Sequence, residues 1–257
     1  MSDARFHSQW GQDAFIERFL MPHANGTFFE AGALDGLHLS NTLFFERERG
    51  WRGILVEMQP WYFPQLAATR PGAHCVQAAL GSEAIQQLFL FAGDRSGLLR
   101  HMNPADIIYL ENHHRTIEPK PQYSVHWVPV RPVMDVLAEA GLTHIDYFSL
   151  DVEGAELDIL GGIDFSRVRI DLFSIEENSD RFGALQALLG PHGYHLLGCL
   201  GTDGLFVPRR AGGGGGAGRA GPHRRDAHQP APAARLTRVA ISRAAGSRTA
   251  GTRPTSR

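Results

Sequence analysis

Short β-rich runs alternate with helical stretches along most of this chain. The runs lie at Thr27 to Ala31, Gly53 to Glu57, His74 to Ala78, Ile145 to Leu150 and Ile170 to Ile175. The helical stretches lie at Ser40 to Arg49, Trp61 to Thr69, Val133 to Ala140, Ala155 to Gly161 and Arg181 to Leu189. Such alternation is typical of a parallel sheet covered by helices. We therefore predict an α/β, Rossmann-like fold with a mostly parallel sheet. A hairpin of Tyr194 to Leu197 and Leu205 to Val207 should add an antiparallel edge.

Residues Leu88 to Val130 interrupt this alternation. Two predicted strands, Gln87 to Phe91 and Ser124 to Val130, flank a polar stretch that contains Pro104, Pro119 and Pro121. A long insertion inside a compact domain is usually a lid or a binding loop. We therefore expect residues 93–126 to form a lid that governs substrate choice.

The composition changes abruptly after Pro208. Residues 209–257 are rich in Gly, Ala and Arg, and they contain eleven Arg but a single acid, Asp226. Such a stretch buries too little apolar surface to offset the entropy of ordering it, so we predict one folded domain over 1–208 and a disordered tail over 209–257. A basic tail can bind nucleic acid or an anionic surface, but no aromatic residues join these arginines, which favours a passive extension.

The remaining body is acidic and carries no targeting signal that we recognise. Residues 1–208 hold 14 Lys and Arg against 26 Asp and Glu, a formal charge of −12, which should repel nucleic acid. Cys75 and Cys199 lie outside any zinc or disulfide spacing. No window approaches the apolar length of a signal peptide or a membrane span. We expect a cytoplasmic protein with no membrane span and no nucleic-acid partner.

The segment TFFEAGALDG, Thr27 to Gly36, predicts a ligand-binding turn between a strand and a helix. The strand brings Glu30 to its end, and Gly32 and Gly36 would let the backbone approach a ligand closely. A ligand there would lie beyond the carboxyl ends of the strands, where open α/β sheets bind their ligands. A tight turn that uses glycine for conformation alone is the alternative.

A second motif, ILVEMQP, places Glu57 at the tip of the next strand, 21 positions after Gly36. An acid at this spacing usually holds a nucleoside ribose, in NAD enzymes and methyltransferases alike. A dinucleotide also brings a pyrophosphate, which Glu30 and Asp35 would repel and for which Leu34 breaks the glycine pattern. S-adenosyl-L-methionine carries an ammonium and a sulfonium instead, so the acids favour it. An NAD(P)-linked oxidoreductase and a non-catalytic, cofactor-binding scaffold with a basic recruiting tail remain the alternatives.

A third motif, DYFSLDVEGAELDIL, ends a buried strand in three acids around Gly154. Asp151, Glu153 and Glu156 lie within six residues, an arrangement that is costly without cationic ligands, a metal or hydrogen-bond donors. We interpret Asp151 and Glu153 as functional, and Glu156 as the start of the following helix, where its charge suits the helix dipole.

Two further groups could supply other chemistry. Glu177 and Asn178 end the next strand and, with Asp151, could form a weak Mg²⁺ site; solvated helix-cap residues are the alternative, and we expect no metal.

Histidines of the insertion could replace a carboxylate as general base, or could simply be solvated loop residues. These histidines are His101, His113, His114 and His126.

Five blocks of the sequence, in order, resemble the FkbM-type methyltransferase family. They are SQWGQD (Ser8 to Asp13), FFEAGALDG followed by SNT (Phe28 to Thr42), GWRGILVEMQP (Gly50 to Pro60), QAALGS (Gln77 to Ser82) and IDYFSLDVEGAELDIL (Ile145 to Leu160). The resemblance covers about positions 8–207 and none of the tail. It implies a class I methyltransferase domain over 1–208, S-adenosyl-L-methionine as donor, and a hydroxyl of a saccharide, glycolipid or polyhydroxylated natural product as acceptor.

The resemblance also implies roles for individual residues. The turn from Glu30 to Gly36 would hold the methionine moiety, Glu57 the ribose and Ala79 the adenine edge. Gln9 and Asp13 would fold back over the cofactor, unless they merely cap a helix over Ala14 to Phe19. Apart from the resemblance, an alcohol acceptor must lose its proton, and Asp151 is the first candidate for the base and Glu153 the second. The full set of expected cofactor-binding residues is Gln9, Glu30, Gly32, Ala33, Asp35, Gly36, Ser40, Asn41, Glu57, Met58, Ala79, Leu80 and Asp151.

Overall fold

Helices and strands alternate in the computed structural model, which describes residues 5–114, 123–177 and 182–209. The helices are α1 (Gln12–Phe19), α2 (Leu43–Arg49), α3 (Phe63–Thr69), α4 (Pro104–His114), α5 (Val133–Glu139), α6 (Glu156–Gly161) and α7 (Phe182–Leu189). The strands are β1 (Thr27–Ala31), β2 (Arg52–Val56), β3 (His74–Val76), β4 (Ala79–Gly81), β5 (Gln86–Phe91), β6 (Gly97–Leu98), β7 (Ser124–Pro132), β8 (His144–Leu150), β9 (Arg169–Glu176), β10 (Tyr194–Leu200) and β11 (Asp203–Pro208). The 3₁₀ turns lie at Gly93–Arg95 and Gly190–His192.

Seven strands of the described residues form one sheet in the order β3-β2-β1-β8-β9-β11-β10. The strands from β3 to β9 run parallel, whereas β11 is antiparallel to both β9 and β10. The predicted α/β fold, its mostly parallel sheet and its antiparallel hairpin are confirmed. The strand order reverses between β1 and β8, and the carboxyl ends of these strands therefore border the crevice where open α/β sheets bind ligands.

Both faces of this sheet are buried, as parallel strands require. Successive residues of β1 point to opposite faces: Phe29 stacks on Phe148 of β8 at a centroid distance of 4.3 Å, while Phe28 belongs to the cluster on the other face. On that second face Phe45 of α2 packs against Trp51 and Tyr147. The apolar alternation of the strands thus fixes which side chains reach the carboxyl edge of the sheet.

The insertion carries more regular structure than its sequence indicates. Within the described residues, β4, β7, β5 and β6 form a second sheet in that order, and α4 lies between β6 and β7. We predicted β5 and β7 but not α4, β4 or β6. Pro104 opens α4, a position that needs no backbone N–H, and the Asn103 Oδ1 accepts a hydrogen bond from the Ala105 N–H at 2.9 Å. Pro119 and Pro121 lie outside the described residues.

The chain divides into units 1–211 and 212–257. The second unit lies outside the described residues, so the predicted disorder of the tail and its boundary at Pro208 stay predictions. The role of the insertion as a lid also stays a prediction. None of the helices in the described parts of the chain has the length and apolar character of a membrane span.

Candidate functional site

A cavity opens at the carboxyl ends of β1, β2 and β8, and turns that follow these strands line it. Ten of the residues that the sequence predicts for the site line this cavity: Gln9, Glu30, Gly32, Asn41, Glu57, Met58, Ala79, Leu80, Asp151 and Glu153. Four other predicted residues do not line it, namely Ala33, Asp35, Gly36 and Ser40. Leu34 of the predicted turn and Asp94, Arg95, Ser96 and Leu98 of the insertion also line the cavity, together with residues that we did not single out, namely His38, Leu39, Gln59, Phe89 and Glu176.

The turn after β1 depends on Gly32. Its φ is +83°, and a Cβ added there would lie 1.8 Å from the backbone carbonyl oxygen of Asp151. The Gly32 N–H donates to the Val56 carbonyl at 3.0 Å, which ties this turn to β2. Gly32 therefore allows β1 and β8 to approach closely at the floor of the cavity.

We expect Gly32→Ala to lower the free energy of unfolding by several kcal/mol. A left-handed backbone costs an L residue roughly 1–2 kcal/mol, and the contact with Asp151 adds a backbone clash to that cost. Gly93→Ala is the matched control, because Gly93 has φ +70° but nothing lies within 4 Å of an added Cβ. Urea unfolding of both variants measures the difference, and equal losses would contradict the close approach.

Non-glycine residues with positive φ also cluster at the cavity. Leu34, Leu39 and Glu153 have φ values of 47°, 55° and 56°, and all three line it. Side chains larger than glycine adopt this conformation at a cost, and strained backbone of this kind concentrates at functional sites. The strain supports a functional interpretation of the cavity beyond its shape.

Glu30 is buried and holds the loop that precedes α2. Its carboxylate accepts hydrogen bonds from the Ser40 Oγ at 3.0 Å, from the Asn41 N–H at 2.9 Å and from the Thr42 hydroxyl. The Asn41 Nδ2 donates to the Ser149 Oγ at 2.9 Å. Glu30 and Ser40, which the sequence predicts as cofactor contacts, are therefore bonded to each other, and Asn41 is the residue they hold against the cavity.

Arg70, which the sequence analysis did not single out, binds the same loop through buried hydrogen bonds. Its side chain is fully buried and forms an ion pair with Glu46 at 2.7 Å. The guanidinium also donates to the Gly36 carbonyl at 3.0 Å and to the Ser40 Oγ at 3.1 Å. A buried charge persists only when it is paired and hydrogen-bonded, so this network fixes the ends of the turn.

Glu57 stands at the carboxyl end of β2 and is 4% exposed. Its Oε2 accepts from the Leu34 N–H at 2.9 Å and its Oε1 from the Gln59 N–H at 2.8 Å. Burial raises the pKa of this carboxyl, and the bonds from Gln59 and Leu34 oppose that rise. Glu57 thus links the two turns that form this wall of the cavity.

Three acids converge on the opposite wall. One carboxylate oxygen from each of Asp151, Glu153 and Glu176 lies within 4.8 Å of the others. Removal from water raises the pKa of Asp151 well above its ordinary value, and the charge of Glu176 and a hydrogen bond with it raise it further. Two neighbouring carboxyls that resist losing both protons are a common basis of acid–base chemistry.

Glu156 begins α6, as the sequence predicts. Its Oε1 accepts from the N–H groups of Val152 at 3.3 Å and Gly154 at 3.0 Å, so it shapes the acidic loop from beneath. Burial raises its pKa to about 7.

The acid beside Asp151 differs from the one in the weak Mg²⁺ alternative. Glu176, not Glu177, lies beside Asp151, because neighbouring residues at the end of a strand point to opposite faces. The Glu177 N–H instead bonds the Thr202 carbonyl at 3.1 Å, and Asn178 lies outside the described residues.

The insertion reaches the cavity through Asp94 to Leu98. Arg95 lies 4.0 Å from Glu153, across the acidic loop. The histidines that could have served as bases lie elsewhere: His101 contacts Asp158 at 3.4 Å, and His126 lies against Phe91. The side chains of His113 and His114 lie outside the described residues.

The segment before α1 crosses the same end of the sheet. Gln9 lines the cavity, and Asp13 accepts hydrogen bonds from the N–H groups of His7 at 2.6 Å and Ser8 at 3.2 Å. The helix begins at Gln12 after Gly11, two residues earlier than we predicted, and the Asp13 Oδ1 also accepts from the Ala14 N–H of its first turn at 2.8 Å. The Gln12 Nε2 donates to Asp203 at 2.9 Å, which ties this segment to β11.

A comparison with solved structures finds methyltransferases at low similarity. A TehB-like SAM-dependent methyltransferase from Corynebacterium glutamicum is 12% identical, with a TM-score of 0.43 over 80% of this chain and 91% of that one. A precorrin-6y C5,15-methyltransferase from Geobacter metallireducens is 11% identical, with a TM-score of 0.42 over 80% and 94%. The human METTL16 N-terminal domain in complex with SAH is 13% identical, with a TM-score of 0.39 over 77% and 66%. These values are too low to indicate a substrate or a mechanism for this chain.

Family membership rests on the sequence. A search of the curated proteins finds no match. The methyltransferase FkbM domain matches residues 30–196, which include the end of β1 with its turn, Glu57, the acidic loop after β8 and the whole insertion. The class I methyltransferase fold implied by the sequence motifs is confirmed, and the chain belongs to the FkbM methyltransferase family.

Proposed function

We propose that the protein transfers the methyl group of S-adenosyl-L-methionine to a hydroxyl of a saccharide, glycolipid or polyhydroxylated natural product. The observation that carries this proposal is the acidic lining of the cavity at the carboxyl ends of the strands. Its carboxylates come from Glu30, Glu57, Asp94, Asp151, Glu153 and Glu176. An ammonium and a sulfonium would be attracted by this lining, whereas a pyrophosphate would be repelled.

Two unsatisfied acceptors in the cavity wall also suit this donor. Within the part of the chain that the structure describes, the Asn41 Oδ1 and the Gln59 Oε1 are buried without a hydrogen-bond partner. Buried polar atoms are nearly always paired, so a ligand that supplies N–H or O–H groups would complete both residues. The ammonium, ribose hydroxyls and adenine amine of S-adenosyl-L-methionine supply such groups. NAD(P) also carries ribose hydroxyls and an adenine amine, so among these groups only the ammonium distinguishes the donor from a dinucleotide.

The proposed reaction is an in-line displacement. The acceptor oxygen forms a bond to the methyl carbon while the carbon–sulfur bond breaks, and S-adenosylhomocysteine leaves with the bonding electron pair. The acceptor hydroxyl loses its proton to Asp151, with Glu153 as the second candidate. Holding donor and acceptor in line supplies much of the acceleration, so the protein needs few groups that act chemically. The segment Asp94 to Leu98 would help to select the acceptor, because it forms part of the cavity wall.

A methyl-transfer assay tests this proposal directly. The full chain is incubated with donor carrying an isotopically labelled methyl group and a panel of mono- and oligosaccharides, glycolipids and polyhydroxylated aromatics. We expect label in a base-stable methyl ether of one acceptor class, and binding of S-adenosylhomocysteine but not NADH by calorimetry. Binding of NADH in place of S-adenosylhomocysteine, or label only in protein or nucleic acid, would overturn the proposal.

A further inference from the structure

A cluster of histidines and aspartates lies at the amino ends of the central strands, at the opposite end of the sheet from the cavity. One ligand atom from each of His144, Asp146 and Asp171 lies within 4.8 Å of the others. A second imidazole lies at the edge of this cluster, where the His23 Nε2 is 3.1 Å from the Asp146 Oδ1. From this geometry we propose a Zn²⁺ site with two imidazole and two carboxylate ligands.

The register of the sheet explains why these side chains meet. His144 of β8 pairs with Arg169 of β9, so Asp146 and Asp171 lie side by side two residues further on. His144 and Asp146 point to the same face because side chains alternate along a strand. Like charges directly opposite one another on neighbouring strands destabilise a sheet, and Arg169 offsets part of this repulsion through its ion pair with Asp171. The pair of aspartates is thus a place where a divalent cation contributes stability.

Each carboxylate has one oxygen held by a donor of the protein and one directed at an imidazole. The Asp146 Oδ2 accepts from the Thr27 N–H at 2.7 Å and from the Thr27 Oγ at 2.9 Å, while its Oδ1 faces His23. The Asp171 Oδ1 accepts from the Arg169 Nε at 2.8 Å, while its Oδ2 faces the His144 Nε2 at 2.9 Å. The Arg169 Nη2 makes a longer contact with that Oδ2, at 3.3 Å.

This arrangement is the one expected of monodentate zinc ligands. Carboxylates that bind zinc are usually oriented by outer-shell donors such as Thr27 and Arg169. The His23 ring is also held in place, since it stacks on Trp51 at a centroid distance of 5.0 Å. The backbone carbonyl of His23 accepts a hydrogen bond from the Trp51 Nε1 at 2.9 Å. Two imidazoles and two carboxylates satisfy the tetrahedral preference of Zn²⁺ and balance its charge.

His23 and His144 are 46% and 45% exposed, so an ion can enter from solvent. Because the cluster lies at the amino ends of the strands, we assign this zinc a structural role that joins β8 and β9 to the segment before β1. Its absence should leave the affinity for S-adenosylhomocysteine unchanged.

Zinc titration of the full chain, freed of metal by a chelator, tests the site. We expect wild-type protein to bind one more equivalent of Zn²⁺ than His144→Gln or Asp171→Asn, or to bind it at least about tenfold more tightly, as loss of a ligand or its orienting partner requires. Both substitutions change partly exposed side chains and spare the buried Asp146. His74→Gln is the matched control, because His74 is similarly exposed and lies 3.8 Å from Glu139.

Two further readouts distinguish a site from a pair of ion pairs. Co²⁺ in place of zinc should give the intense visible bands of four-coordinate geometry in wild type and in His74→Gln, but not in the two site variants. Zinc should also raise the melting temperature of wild type more than that of the site variants. Identical zinc titrations and Co²⁺ spectra for wild type, His144→Gln and Asp171→Asn would overturn the proposal, as would an absence of zinc binding to wild type.

Discussion

Asp151→Asn should lower kcat by about a hundredfold or more while leaving the affinity for S-adenosylhomocysteine within about threefold of wild type, since general-base catalysis commonly contributes a factor of 10²–10⁴. The substitution keeps the size of the side chain but removes its capacity to accept a proton. Asp151 shares its wall of the cavity with Glu153 and Glu176, which preserve most of the negative charge. Steady-state kinetics with the best acceptor of the panel, together with calorimetry, measure the two effects.

The pH profile of the wild-type enzyme follows from the same carboxyl. Burial and Glu176 raise the pKa of Asp151 well above its ordinary value. The basic form is therefore lost as pH falls through this raised pKa, and kcat/KM should climb with pH until Asp151 is deprotonated. Glu176→Gln removes the neighbouring charge, so its rising limb should lie at lower pH than that of wild type.

Asp164→Asn provides the matched control, because Asp164 is an exposed loop residue whose carboxylate accepts from Ser166. It should leave both kcat and the pH profile unchanged. If Asp151→Asn kept wild-type turnover, Asp151 would not be the base. If Glu176→Gln left the rising limb in place, the group titrating there would be a different one.

Local sequence patterns sufficed for the elements that position the site. The strand predicted over Thr27 to Ala31 is β1 residue for residue, since an apolar run flanked by Gly26 and Gly32 has clear ends. Glu57 and Asp151 lie on the cavity for the same reason, because an acid directly after a buried strand must emerge at the carboxyl edge of the sheet. Features that depend only on where a strand ends can therefore be predicted from one sequence.

Spacing did not determine which residues of a turn face the cavity. Gly32 and Leu34 line it, whereas the carboxylate of Asp35 turns back to the N–H groups of Leu37 and His38. Nor could a run of two acids at the end of β9 indicate which one points inward. Such orientations depend on φ values and on partners in distant segments, which a single sequence does not display.

The structure of the insertion could be predicted from the sequence only in part. Proline and polar residues indicated a loop over what is α4, although Asn103 before Pro104 is itself a signal for the start of a helix. Asp94 and Arg95 reach the cavity because the insertion packs against the acidic loop. The packing is close at Gly97, where an added Cβ would lie 3.2 Å from the Cβ of Glu153. No local pattern in the sequence encodes that contact.

Glu57→Gln should weaken binding of S-adenosylhomocysteine by about 10- to 100-fold, since a hydrogen bond to a buried charged group contributes about 1.5–3 kcal/mol. The carboxylate would lose its charge and one acceptor oxygen, so it could no longer receive both ribose hydroxyls while also accepting from Leu34 and Gln59. At saturating donor, kcat should change little, because Glu57 lies on the cavity wall that carries no candidate base. Calorimetry and donor-dependent kinetics measure the two quantities.

A cofactor analogue separates a ribose contact from mere support of the turn. Wild type should bind 2′-deoxy-S-adenosylhomocysteine more weakly than the parent compound, and Glu57→Gln should bind the two almost equally, since the interacting pair is then broken from either side. Exposed Glu48, changed to Gln, should leave the wild-type ratio intact. If Glu57→Gln still distinguished the two compounds as wild type does, Glu57 would act only through the N–H groups of Leu34 and Gln59. The ribose would then be held by other acceptors in the cavity. One candidate is the Gln59 Oε1, two positions after Glu57 in the sequence, which has no hydrogen-bond partner among the described residues.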